Sequence, residues 1–206
     1  MEHKKHSLLV VSGFGDKGIS EFADTLSRTD AFSQTKIMRG CPWWHAGTSP
    51  RRRVSAIEEQ LARMEQPVML VGHSYGALLA LGAACRRQLS EICGVFINGP
   101  LNPYVFVPPP QDKPLFRLFG LHYQMREEIA AECMDMLRKV DDAVLKNCVT
   151  VASPNDGIVP PDAQKLPGIL SSITLPREIH GHGMSPEKIA AVSKIVADMI
   201  PLTFSL

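Results

Sequence analysis

Residues 68–83 read VMLVGHSYGALLALGA. The first four are apolar, and the last seven are alanine, leucine and glycine only. Between them, Gly72-His73-Ser74-Tyr75-Gly76 fits the pattern G-x-S-x-G. An apolar run closed by glycine reads as a strand buried on both faces. The small residues after it read as a helix packed tightly on that strand. A serine in so abrupt a strand-to-helix turn is driven into a strained backbone conformation and presented at the strand's end. Gly72 and Gly76 have to be small, because the two backbones pass close to each other there. The helix N-terminus aims its N–H groups at the same point and favours developing negative charge. The competing reading is a tight structural turn with an incidental serine.

The rest of the chain repeats this rhythm. Ser7–Ser12 (SLLVVS), Thr35–Met38, Val68–Val71, Ile92–Asn98 (ICGVFIN), Cys148–Ala152 (CVTVA) and Ile169–Leu175 (ILSSITL) read as strands. Helices are predicted over about 17–28, with Ile19, Phe22, Ala23 and Leu26 on one face, and over about 51–65. Others follow Gly76, span about 123–146, and run over Pro186–Ile200. Ser185 is the predicted N-cap of the last, Pro186 its first position, and Glu187 lies near its positive end. Alternating strands and helices imply a mostly parallel sheet of about six strands with helices on both faces. The rhythm breaks over about 101–146, which is proline-rich at its start. An insertion there would cap the carboxyl ends of the strands, where open α/β sheets bind ligands. With 206 residues, the expectation is one domain, 1–206, carrying this small helical cap.

Composition narrows the function classes. The formal net charge is +1, so no strong field draws in nucleic acid. Arg51-Arg52-Arg53 reads as a solvated cluster. The five cysteines show no C-x-x-C and no regular spacing, which predicts reduced thiols and a cytoplasmic setting. The apolar stretch near the start runs directly into Gly13 and reads as a first strand, not a signal peptide. No apolar run reaches transmembrane length.

A serine hydroxyl is a weak nucleophile until a base takes its proton, and that base needs a carboxylate to set its tautomer. For this kind of turn the expected chain order is Ser, then Asp or Glu, then His. After the fifth strand comes SPNDGIVP, so Asp156 is the favoured acid. Asn-Asp-Gly is also good turn chemistry, and Asp162 is the reserve. Asp141 and Asp142 lie mid-helix and read as solvated. After the sixth strand comes LPREIHGHGMSPEKIAAV. His182, flanked by glycines just before the last helix, is the favoured base over His180. A metal site on these two histidines lacks further ligands, and no metal or organic cofactor is expected.

LLVVSGFGDKG, residues 8–18, supports two readings. Gly13, Gly15 and Gly18 fit G-x-G-x-x-G, the fingerprint of a dinucleotide-binding loop. Asp16 would then repel the pyrophosphate, and the acid wanted about twenty residues on is replaced by Met38-Arg39-Gly40. A Gly-rich turn after a buried strand also builds an oxyanion hole. That reading leaves none of the other loops unexplained and is favoured.

Taken together, VSGFGD, GHSYG, SPNDGIVP and GHGMSPEKIAAV resemble the oxyanion loop, nucleophile elbow, acid loop and histidine loop of a small α/β-hydrolase. The likeness covers nearly the whole chain, and the histidine loop is closest to the carboxylesterase and lysophospholipase-like branch. It departs at the first loop, where Ser12-Gly13 stands in place of the His-Gly of many relatives. By position, the resemblance implies Ser74 as nucleophile, Asp156 as acid, His182 as base, and the N–H groups of Phe14 and Tyr75 as the oxyanion hole. It implies a serine hydrolase acting on carboxylic esters of small or medium acyl groups. An acyl-thioesterase acting on acyl-CoA or an acyl-carrier protein is the alternative, and a non-catalytic binding protein of the same fold is a third reading. Trp43, Phe106, Phe116 and Phe119 are candidates for an apolar acyl site, although aromatic residues there also serve to pack a cap.

Overall fold

The computed structural model describes residues 5–13, 18–39, 50–87, 92–102, 131–132, 134–135, 138–139, 147–166, 168, 170–176 and 183–200. Six strands form one sheet: β1 (His6–Val11), β2 (Phe32–Met38), β3 (Val68–His73), β4 (Ile92–Ile97), β5 (Cys148–Ala152) and β6 (Ser171–Thr174). Their order is β2-β1-β3-β4-β5-β6, and every neighbouring pair is parallel. The described α-helices are α1 (Ile19–Ser27), α2 (Pro50–Ala62), α3 (Tyr75–Arg86) and α4 (Pro186–Met199). A 3-10 helix at Pro161–Gln164 follows the fifth strand. This is the α/β-hydrolase arrangement anticipated from the alternation of apolar runs and helical patterns.

The apolar runs explain the layering. Residues along β1, β3, β4 and β5 are buried throughout. Successive side chains on a strand face opposite ways, so each strand feeds two cores. Leu9, Val11, Val68 and Leu70 join Val54, Ile57 and Leu61 of α2 and the small residues of α3. Leu8, Val10, Met69 and Val71 join Ile19, Phe22 and Leu26 of α1 and Ile189, Val192 and Val196 of α4. β2 and β6 are the edges, and their residues are correspondingly more exposed.

The strand order places a switch point between β1 and β3. The chain leaves β1 outward to β2, then returns past it to β3. Right-handed crossovers in opposite directions put α1 on one face and α2 on the other. The helices that follow β1 and β3 therefore lie on opposite faces of the sheet, and open α/β sheets bind ligands at the carboxyl end of such a switch point.

The observed elements lie within a few residues of those anticipated. β2 begins earlier, at Phe32, and α2 ends earlier, at Ala62. The anticipated helix over 123–146 and the irregular stretch before it fall mostly outside the described residues. Within that region residues 131–132 and 134–135 are helical. Arg86 on α3 bonds Glu132 there at 3.3 Å and pairs with Glu58 of α2 at 3.8 Å. Met134 packs against the α2/α3 core.

Gly76 is one of the tightest points among the described glycines. A methyl group there would collide with the carbonyl oxygens of Val11 and Ser12, which are backbone atoms and cannot rotate away. Gly76→Ala is expected to cost about 3 kcal/mol. Thermal unfolding should show a midpoint lowered by roughly 10 °C. Gly157→Ala, where an added methyl meets nothing within 4 Å, should stay within about 2 °C of the wild type.

Candidate active site

Ser74 follows the last residue of β3 and caps α3. Its backbone has φ 58° and ψ -131°. A non-glycine residue is rarely held at positive φ, and such strain concentrates at functional positions. Several contacts hold it. The Ser74 N–H donates to the carbonyl of Ile97 at 2.8 Å, and its own carbonyl accepts from the Ala77 N–H at 2.9 Å. Gly72 lets the turn close, since a Cβ there would lie 2.5 Å from the Cα of Ala77. Tyr75 opens α3 and is buried, so its N–H belongs to the first helical turn, aimed out of the helix end.

The first loop lies directly against this serine. A Cβ on Gly13 would sit 2.7 Å from the Cβ of Ser74 and 2.9 Å from its Oγ. At Gly13 the chain leaving β1 thus meets the serine with bare backbone. Gly18 ends the same loop at φ 79° and caps α1. A Cβ there would strike the carbonyl oxygen of Met184, just ahead of α4. Two of the three glycines in G-x-G-x-x-G are therefore used for packing, one on the serine and one on the chain segment that follows His182. Phe14 and Gly15 lie outside the described residues.

Asp156 sits in the loop after β5, as anticipated. Its Oδ1 accepts the backbone N–H groups of Ile158 at 2.8 Å and Val159 at 3.0 Å. Its Oδ2 accepts from Nδ2 of Asn98 at 2.6 Å. Asn98 follows β4 directly, is fully buried and has φ 51°. Its Oδ1 accepts from the hydroxyl of Ser153 at 3.0 Å. Gln164, also fully buried, ties the loop at both ends. It accepts from the Ser153 N–H at 2.9 Å and donates to the Val159 carbonyl at 2.6 Å. The turn reading of Asp156 holds, and it occupies only part of the carboxylate: one oxygen organises the turn, and the other meets the residue that follows the neighbouring strand.

The segment ahead of α4 completes the described surroundings. Ser185 accepts from the Lys188 N–H at 3.3 Å as the N-cap, and Pro186 opens the helix. Its own backbone N–H at the helix terminus, and after it the Ser185 hydroxyl, hold the Glu187 carboxyl below its usual range. Lys188 is fully buried. Burial pushes its ammonium down to about 8, and attraction to Asp156 opposes that fall. A buried lysine in the first turn of α4 carried no sequence signal, since lysine normally marks a solvated face.

Ser74 and Asp156 thus stand at the carboxyl ends of β3 and β5, with Asn98 at the end of β4 between them. His180 and His182 lie outside the described residues, as do Trp43, Phe106, Phe116 and Phe119. Asn98, Ser153, Gln164 and Lys188 were not singled out from the sequence. Asn98 alone left a trace, as a polar residue closing an apolar strand at the edge where Ser74 and Asp156 lie. Among the described residues, no group of three or more His, Cys, Asp or Glu side chains converges to hold a metal ion. No helix among them is long and apolar enough to cross a membrane.

The family model described as "Alpha/beta hydrolase family" matches residues 12–190, and the chain belongs to that family. Comparison with curated protein sequences finds no match. Solved structures share the fold at low identity. A structure from work on LipS and LipT, two metagenome-derived lipolytic enzymes, has a TM-score of 0.68 at 15% identity, covering 95% of this chain and 94% of that one. Est1E from Butyrivibrio proteoclasticus has a TM-score of 0.66 at 14% identity, covering 99% and 90%. The thioesterase domain from the curacin biosynthetic pathway has a TM-score of 0.57 at 15% identity, covering 94% and 92%. The chain is therefore similar in fold to lipolytic, esterase and thioesterase proteins.

The buried lysine makes a pH prediction. Its folded value of about 8 lies below the ordinary 10.5. The unfolded chain then binds more protons between these values, and stability rises with pH across that window. Below pH 8 the buried charge costs about 3 kcal/mol. Lys188→Met should therefore be the more stable form at pH 7. Its lead over wild type in denaturant midpoint should shrink between pH 8 and pH 10.5. A lead that is constant over that range would rule out the assignment.

Proposed function

We propose that this chain is a serine hydrolase that cleaves carboxylic esters of small or medium acyl groups through an acyl-enzyme. The observation that carries the reading is Ser74 itself. It is held at φ 58° at the mouth of the sheet's switch point, with the backbone of Gly13 against its hydroxyl. Strain of this kind is maintained only where surrounding contacts over-determine it. In this reading Ser74 is the nucleophile, His182 the base and Asp156 the acid.

The chemistry follows from those roles. His182 takes the Ser74 proton as Oγ attacks the ester carbonyl. The oxyanion is held by the N–H groups of Phe14 and Tyr75, each contributing about 3 kcal/mol to lowering the barrier. The tetrahedral intermediate expels the alcohol, which takes the proton from His182. Water then attacks the acyl-enzyme by the same route and releases the acid, returning the proton to Ser74. Asp156 orients the imidazole and stabilises its charged form without taking the proton. Beyond the ester and water, these steps call on the chain's own residues.

The thioesterase reading uses the same residues and is supported by the likeness to the curacin thioesterase domain. Acyl-CoA or an acyl-carrier protein would then supply the leaving group. Residues 101–146 form a cap in this proposal, with Trp43, Phe106, Phe116 and Phe119 lining the acyl site. The Arg86–Glu132 pair and the packing of Met134 anchor the end of that cap on α3. A reducing, cytoplasmic setting fits the buried free thiols of Cys85, Cys93 and Cys148. Burial pushes Cys93 and Cys148 up to about 12, which keeps both as inert thiols.

Intact-protein mass after fluorophosphonate treatment tests the core claim. Wild type should gain one adduct and Ser74→Ala none. Folded wild-type protein that gains no adduct would refute an assembled triad. Hydrolysis rates across a series of p-nitrophenyl esters and matched acyl-CoA thioesters should then favour the esters, with shorter acyl chains cleaved faster than long ones.

A further inference from the structure

We infer that Asn98 is a positioning residue for the acid, drawing the Asp156 carboxylate from its own strand toward Ser74 and fixing which oxygen meets the histidine. The inference rests on the roles proposed above for Ser74, Asp156 and His182. It starts from a spacing problem. Ser74 stands beyond β3 and Asp156 beyond β5, two strand spacings apart, or about 10 Å. One imidazole has to reach both through hydrogen bonds of about 2.8 Å. A carboxylate standing directly over β5 leaves that reach long.

Asn98 stands between them. Its N–H donates to the carbonyl of Val151 at 2.9 Å, so the ladder from β4 to β5 runs one step beyond the strand end. Its side chain then takes Oδ2 of Asp156 at 2.6 Å, on the side toward β4 and Ser74. The opposite end of the amide is held by the Ser153 hydroxyl. This orients the amide, because a carboxylate needs the NH2 group and a donating hydroxyl needs the carbonyl. Ser153 is in turn held by Gln164. With Oδ1 filled by the N–H groups of Ile158 and Val159, the carboxylate cannot rotate.

The residue type is well determined. Positive φ admits glycine, asparagine and aspartate most readily. Of these, only asparagine offers a donor to Asp156 and an acceptor to Ser153 at the end of one short side chain. Aspartate would place a second negative charge against the acid, and glycine would leave both partners unmatched in a buried site.

The role also has an electrostatic side. A donor on Oδ2 draws on the carboxylate's charge and so tempers its pull on a neighbouring imidazolium. Removing the donor should raise the pKa of the histidine. A purely structural asparagine would leave that value unmoved.

The test uses Asn98→Gly, which keeps the backbone conformation and removes the amide. The probe is a fluorophosphonate, and the readout is its rate of reaction with Ser74 from pH 5 to pH 9. The glycine variant should react roughly 10-fold to 100-fold more slowly, and the acidic limb of its profile should move to higher pH. Ser153→Ala, which frees the amide to turn, should show the same shift at smaller size. It serves as the deciding variant if the glycine protein does not fold. Asp156→Ala runs beside them. If it reacts slowly while folded Asn98→Gly and Ser153→Ala match wild type in rate and profile, the inference is overturned and the triad stands. If wild type does not react, or Asp156→Ala reacts at the wild-type rate, the proposed roles fall and the inference falls with them.

Discussion

The turn from β3 into α3 depends on one steric condition. The backbone at Gly76 lies against the carbonyl oxygens at the end of β1, with no room for a side chain. That approach brings the N-terminus of α3 between β1 and β3, where the strand order switches direction. Once it is made, Ser74 has little freedom. Its N–H is committed to β4 and its carbonyl to α3, and φ is forced positive. The hydroxyl then emerges beside the bare backbone of Gly13. Strand order, helix placement and serine geometry are thus one constraint seen at three scales.

The acid loop is organised differently. No steric collision shapes it; a closed chain of buried hydrogen bonds does. Gln164 holds the loop at Ser153 and Val159, Ser153 orients Asn98, and Asn98 meets Asp156. Each buried polar group here is matched, which matters because one left unmatched costs about 1–3 kcal/mol. Such a network is rigid for the same reason that it is vulnerable: no member can turn without stranding another. A pre-set carboxylate spares the reacting system the reorganisation that a solvated one would need.

Lys188 complicates the electrostatics. A fully buried ammonium close to the acid is costly to bury. It also adds positive potential beside Asp156, as the Asn98 amide does. Both face the carboxylate with positive charge, which suits a residue that orients and stabilises an imidazolium. In the proposed mechanism it is never called on to accept a proton.

The sequence by itself determined the elements and their order. Apolar runs announced β1, β3, β4 and β5, because strands buried on both faces are predominantly apolar. Helical spacing at Ile19, Phe22, Ala23 and Leu26 announced α1. G-x-S-x-G announced the strained serine, since only glycine survives the approaches that surround it. Asp156 was legible from its place after a late strand, and Ser185-Pro186 from capping chemistry. The shared surroundings of these residues were not legible. Asn98 and Gln164 stand 58 and 8 positions from Asp156 in the chain, as the difference of their numbers shows. No local pattern marks a polar residue whose partners arrive from another strand. Lys188 was hidden for the related reason that its burial depends on what packs over α4. Local propensity and periodicity are written along the chain, whereas hydrogen-bond pairing and desolvation exist only between segments that the tertiary structure brings together.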